Sequence, residues 1–93
     1  MTFEWDARKA AANLRKHGVA FTDAATVFRD PLATTFPDPD HSMDELREIT
    51  LGHTMKGDLV FVAHCDRVGR TRIVSARRAT RAEREQYEEG ANG

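Results

Sequence analysis

What this chain has little of narrows its class first. It has one cysteine, Cys65, in 93 residues. A lone thiol forms no internal disulfide, which excludes a disulfide-stapled secreted module and suits a reducing compartment. No apolar run approaches the roughly 20 residues of a membrane-spanning helix. The opening Met1-Thr2-Phe3-Glu4-Trp5-Asp6 has neither a basic n-region nor an apolar h-region, so a cytoplasmic chain without a signal peptide or membrane association is expected. The six glycines never cluster into a phosphate-cradling loop. The four histidines show no H-x₃-H spacing and no second cysteine supports them, so neither a metal nor another cofactor is expected. Asp38, Asp40, His41 and Asp44 lack the glycine and terminal glutamate of a calcium loop and read as a solvated segment.

An excess of one charge is also missing: 14 basic residues face 15 acidic ones, for a net charge of −1. The distribution is lopsided, however. Between Arg67 and Arg84 lie seven arginines and one acid, Glu83; between Asp38 and Glu48 lie five acids and one base, Arg47. Such a chain can present a basic face in spite of its acidic sum, or simply solvate its arginines. The length fits one domain, 1–93, with the last residues from about 90 expected to be disordered.

What is present reads as an α+β domain. Phe3-Glu4-Trp5 suggests a short strand. Asp6 is a good N-cap for a helix over Ala7 to His17, closed by Gly18. Ala7, Ala10, Ala11 and Leu14 form its apolar stripe, expected to face a sheet. A second, shorter helix carries Phe21, Ala24, Ala25 and Phe28 and ends at Asp30-Pro31. Four strands follow, over about 32–36, 46–52, 59–65 and 71–76. Lys56-Gly57-Asp58 and Val68-Gly69 are expected at hairpin turns. Leu59-Val60-Phe61-Val62-Ala63 is apolar on both parities and reads as the most buried strand. Thr80-Arg81-Ala82-Glu83 matches a capping box and starts a last helix to about Glu89. This order predicts a mainly antiparallel sheet, with helices on one face and the other face open.

Several stretches resemble one known family. Phe3-Glu4-Trp5-Asp6, Lys9-Ala10-Ala11-Ala12-Asn13 and Lys16-His17-Gly18-Val19 look like the N-terminal signature of the BrnT toxins. Phe21, Ala24, Val27, Phe28 and Asp30-Pro31 continue it. Arg47 to Gly52 is similar to their second meander strand. Arg72 to Ala79, with Glu83-Arg84 and Tyr87-Glu88, is similar to their C-terminal signature. The resemblance implies a RelE-like fold and a type II toxin–antitoxin system. The toxin would cleave RNA, and a BrnA-like ribbon-helix-helix antitoxin would silence it and supply the contacts to operator DNA.

Metal-free RNA cleavage by attack of the ribose 2′-hydroxyl needs a base, positive charge on the phosphate oxygens and a proton donor. Arginine suits the phosphate because its planar fork makes two parallel hydrogen bonds. Arg47, Arg72 and Arg77 are the candidates. Arg72 is expected on the open face if Ile73 faces the covered one. Arg47 shares parity with Ile49 and Leu51 and is expected to need a bulge, a strand end or a buried partner to reach that face. Histidine is the usual proton carrier near neutral pH. His17, with Lys16 beside it at a helix C-terminus, is the candidate, although a cation there is favourable structurally as well. His64 reads as a buried structural residue. RelE-like relatives often use a C-terminal tyrosine, which makes Tyr87 a candidate; the residues themselves favour reading it as the one anchor of a polar helix. Two other functions fit the same residues: a non-catalytic nucleic-acid module, or a protein interaction module docking through a sheet edge or the last helix.

Overall fold

In the computed structural model, residues 1–39 and 46–92 are described; the acidic stretch 40–45, with His41, and residue 93 lie outside them. Strand β1 (Phe3–Glu4) leads into helix α1 (Ala7–His17). The Asp6 carboxylate accepts the backbone N–H groups of Arg8 (2.8 Å) and Lys9 (3.1 Å), satisfying two donors that the first turn leaves over. Gly18 ends the helix at φ +71°, where a side chain would be strained. Helix α2 (Phe21–Ala24) runs straight into a 3₁₀ turn (Ala25–Arg29). Strands β2 (Thr34–Pro37), β3 (Arg47–His53), β4 (Leu59–Arg67) and β5 (Arg70–Arg78) form the expected antiparallel meander, and helix α3 (Arg81–Asn92) follows.

The sheet order is β1-β5-β4-β3-β2. Phe3 and Glu4 pair in parallel with Thr71 and Arg72, which makes the sheet mixed. One face packs on α1, α2 and the 3₁₀ turn: Val60, Val62, Ile73 and Ala76 meet Val19, Phe21, Ala24 and Val27 in the core. Gly52 permits this approach. A Cβ there would lie 2.9 Å from the Ala33 Cβ and 3.0 Å from the Val27 Cγ1.

Two expectations are corrected. The first concerns α1. Of its apolar stripe only Ala10 packs toward the sheet, because Ala7 and Ala11 are exposed and Leu14 is 51% exposed. The buried residue is Asn13. Strand β1 covers β5 only at Thr71 and Arg72, so the β5 backbone beyond them is an unpaired edge. The Asn13 amide fills that edge: its Oδ1 accepts the Ala76 N–H (3.0 Å) and its Nδ2 donates to the Ala76 carbonyl (2.8 Å) and the Val19 carbonyl (3.0 Å). Hydrogen bonding to an edge, rather than apolar burial alone, therefore fixes α1. The second correction is that the far face of the sheet is not fully open. Helix α3 lies across its end, where Tyr87 sets its ring edge-on to His53 (5.7 Å) and donates its hydroxyl to the Leu32 carbonyl (3.1 Å).

His64 is structural, as its strand suggested. It is buried, its Nε2 lies 2.7 Å from the Thr50 hydroxyl, and Thr50 meets Thr35 at 2.8 Å. Phe28 packs edge-on against its ring at 4.9 Å. Burial lowers the affinity of His64 for a second proton, against the opposing pull of Glu48 and Asp66.

Candidate active site

The far face of the sheet can be built up from strand register. Arg72, Cys65 and Arg47 form one cross-strand row, Ser75, Ala63 and Ile49 the next, and Arg77, Phe61 and Leu51 a third. Arg47 thus needs no bulge to reach this face. Ile49 and Leu51 themselves face away from α1 and α2, and the shared parity carries Arg47 with them. Cys65 and His64 point to opposite faces, so they form no nucleophile–base pair.

A cavity of about 230 Å³ opens on the second and third rows, with His17, Asp38, Phe61, Ser75 and Arg77 among its lining residues. His17 arrives there because α1 is tied along the β5 edge by Asn13, one helical turn earlier. Asp38 arrives from the end of β2, where its backbone N–H donates to the Arg47 carbonyl (2.9 Å), and it is buried.

Arg77 is held from several sides in the cavity. Its guanidinium carbon sits 4.4 Å from the centre of the Phe61 ring, in cation–π contact. Its Nη1 and Nη2 donate to Glu83 Oε1 (2.9 Å) and Oε2 (3.0 Å), a two-bond fork. Glu83 is itself fixed. Its Oε1 accepts the Thr80 N–H (2.8 Å) and its own N–H donates to the Thr80 hydroxyl (3.2 Å), the predicted capping box. The same acid that caps α3 thereby clamps the arginine, and no reorganisation is needed to aim it. The Arg77 hydrogen bonds hold the Glu83 carboxyl well below the usual range, at about 2, and Glu83 in turn raises the pKa of Arg77.

A depressed carboxyl pKa stabilises the fold above the ordinary value of 4.5, and that stabilisation is lost as pH falls from 4.5 through about 2. Both side chains are partly exposed, at 44% and 32%, so solvent screening leaves about 1 kcal/mol. Acid unfolding of Glu83→Gln is therefore expected to be shallower than that of the wild type across this window. Urea titrations at stepped pH measure it, and identical slopes would contradict the clamp.

The sequence-predicted residues fall into separate groups. His17 and Arg77 share the cavity. Arg47 and Arg72 share a row at the other end of the face, with Arg72 paired to Glu4 at 2.8 Å. Arg77 lies five residues beyond Arg72 on β5, but a bulge takes up one of them, so the two stand opposite Cys65 and Phe61, four residues apart on β4, roughly 13 Å at 3.3 Å each. Lys16 is exposed and outside the cavity lining. Tyr87 lies beyond Phe61, lining a neighbouring cavity of about 260 Å³ with Glu83. Burial raises its pKa, with a further push from Asp30. Asp38, Phe61 and Ser75 in the cavity lining, and the hold of Glu83 on Arg77, were not expected from the sequence. Only Glu83 carried a signal, as the lone acid among seven arginines. Among the described residues, no three His, Cys, Asp or Glu side chains gather to hold a metal ion.

Comparison with known proteins decides the family. A family model described as the ribonuclease toxin BrnT of type II toxin–antitoxin systems matches residues 5–83. The chain belongs to the BrnT family. It is therefore a ribonuclease toxin of a type II toxin–antitoxin system, and such a system implies an antitoxin partner. The fold agrees with that of the Brucella abortus ribonuclease toxin BrnT. The TM-score is 0.69 at 23% identity, covering 87% of this chain and 99% of that one. No curated protein matches the sequence significantly. No helix among the described residues is long and apolar enough to cross a membrane.

Proposed function

We propose that this BrnT-family toxin cleaves RNA, with mRNA as its cellular substrate, at the His17–Arg77 cavity and without a metal. His17 takes the proton of a ribose 2′-hydroxyl. The freed oxygen attacks the adjacent phosphorus, the O2′–P bond forms, the P–O5′ bond breaks, and O5′ takes up a proton from solvent. Negative charge grows on the two non-bridging oxygens during attack, and a fixed guanidinium aimed at them stabilises it. Arg77 has Nη1 on Glu83 and the Arg78 carbonyl (3.3 Å), Nη2 on Glu83 and its plane on Phe61, so its Nε–H and one Nη2 hydrogen are left over and are directed rather than mobile. Arg47 and Arg72 track phosphates farther along the strand. In the cytoplasm a ribbon-helix-helix antitoxin of the BrnA kind silences the toxin, and operator DNA is contacted through the antitoxin alone.

The observation that carries this reading is the meeting of a histidine and a locked arginine on one cavity. The test is cleavage of a defined RNA by the purified protein in excess EDTA, with end-group analysis. Undiminished cleavage giving 2′,3′-cyclic phosphate and 5′-hydroxyl ends is expected. Cleavage abolished by EDTA, or fragments with 5′-phosphate ends, would overturn the reading.

A further inference from the structure

Helix α1 has a face that catalysis leaves unused. Between residues 7 and 17 it carries Arg8, Lys9, Arg15 and Lys16 and no acid. At about 100° per residue, Ala10, Asn13 and His17 turn to the sheet, Ala11 and Leu14 come next round the helix, and Arg8 and Arg15 lie beyond them. The middle strip forms one wall of an apolar groove of about 210 Å³, with Trp5, Ala20 and Phe21 on the other side. Leu14, 51% exposed, stands at its rim.

The charges around the groove are unspent. Arg72 pairs with Glu4, Arg77 with Glu83, Arg78 with Asp58 and Arg81 with Glu85. Four of the seven arginines between Arg67 and Arg84 are thus paired within the chain. Arg8 and Arg15 form no ion pair among the described residues. An apolar groove beside unpaired arginines matches an amphipathic helix whose apolar side chains recur at i, i+3/i+4 and i+7 and whose flank is acidic. The small side chains of Ala10 and Ala11 allow close approach of two helix backbones. RNA would use the arginines, but it gains nothing from a half-exposed leucine at the rim of an apolar groove.

We propose that this groove docks an acidic amphipathic helix of the antitoxin. The inference rests on the toxin–antitoxin reading for the existence of that partner; the groove and its charges supply the address. Leu14 is one turn from His17 on the same helix, so a helix seated here bears on the element that carries His17 into the RNA cavity. Silencing then acts through α1 and His17, with Arg77 and Glu83 left in place.

The test titrates the antitoxin encoded with this toxin against three purified toxins: wild type, Leu14→Glu and the double variant Arg8→Glu/Arg15→Glu. All these positions are exposed, and thermal unfolding confirms that the variants fold. Each variant is expected to bind the antitoxin about 30-fold or more weaker, the loss typical of an interface anchor. Both should cleave RNA at the wild-type rate when free. Reversing acidic residues on the antitoxin helix to arginine is expected to restore binding to the double variant. Antitoxin affinity within about threefold of wild type for both variants would overturn the proposal. So would slowed RNA cleavage by the double variant with antitoxin binding intact, since that assigns the face to RNA. A wild-type protein that binds antitoxin through this groove yet leaves RNA whole would sink the catalytic reading and leave the docking surface standing.

Discussion

Arg77→Ala is expected to slow RNA cleavage by about 10²–10³-fold, the loss typical of removing one fixed donor to a developing oxyanion. The loss should fall on kcat more than on KM, since the phosphate gains charge on its outer oxygens only as the new bond forms. Arg77→Lys should rescue little of it. An ammonium keeps the charge, but it gives up the two-bond fork to Glu83 (2.9 and 3.0 Å) and much of the stacking on Phe61 that aims the group. Single-turnover cleavage of one RNA separates these outcomes from binding. A wild-type rate for Arg77→Ala, with the protein folded, would remove Arg77 from the active centre.

The largest stability loss is expected at Asn13. Asn13→Ala strips three hydrogen bonds and leaves the Ala76 N–H, the Ala76 carbonyl and the Val19 carbonyl without that partner in a buried setting. Each unsatisfied buried group costs about 1–3 kcal/mol, and partial access of water to the edge brings the sum to about 3–4 kcal/mol. In a domain of this size such a loss lowers Tm by roughly 15–25 °C. Asn13→Asp should be no better, because a carboxylate cannot donate to the two carbonyls and would bury a charge. Leu14→Ala, one residue on but half exposed, should cost about 0.5 kcal/mol. Equal losses at positions 13 and 14 in urea unfolding would show that apolar burial, not the amide clasp, holds α1.

This contrast explains how much of the molecule could be read in advance. Elements set by local chemistry were readable: the Asp6 cap, the Gly18 stop, the Val68-Gly69 hairpin and the Thr80–Glu83 capping box all appear where their residues predicted. Orientation was less so. Alanine is nearly indifferent to burial, so the stripe through Ala7, Ala11 and Leu14 could not reveal that Asn13 is the residue tied to the sheet. Nor could parity reveal that Ile49 and Leu51 line the cavity side of β3, because α3 and Phe61 partly cover that face as well. The two-residue β1 gave no hint of joining β5 in parallel 68 residues downstream of Glu4, at Arg72. At the site, residue type pointed to His17 and the arginines. The tertiary fold alone divides them, placing His17 with Arg77 and setting Arg47 and Arg72 apart. Asp38 reads as one acid of a solvated segment, and only its burial beside the cavity distinguishes it.

The central claim is that His17 and Arg77 act on one phosphate. A double-mutant cycle measures it most directly: single-turnover RNA cleavage by wild type, His17→Ala, Arg77→Ala and the double variant. Groups serving one transition state are non-additive, so the double variant should be little slower than the worse single variant. Independent losses that multiply in the double variant would contradict the claim, and a wild-type rate for His17→Ala would end it.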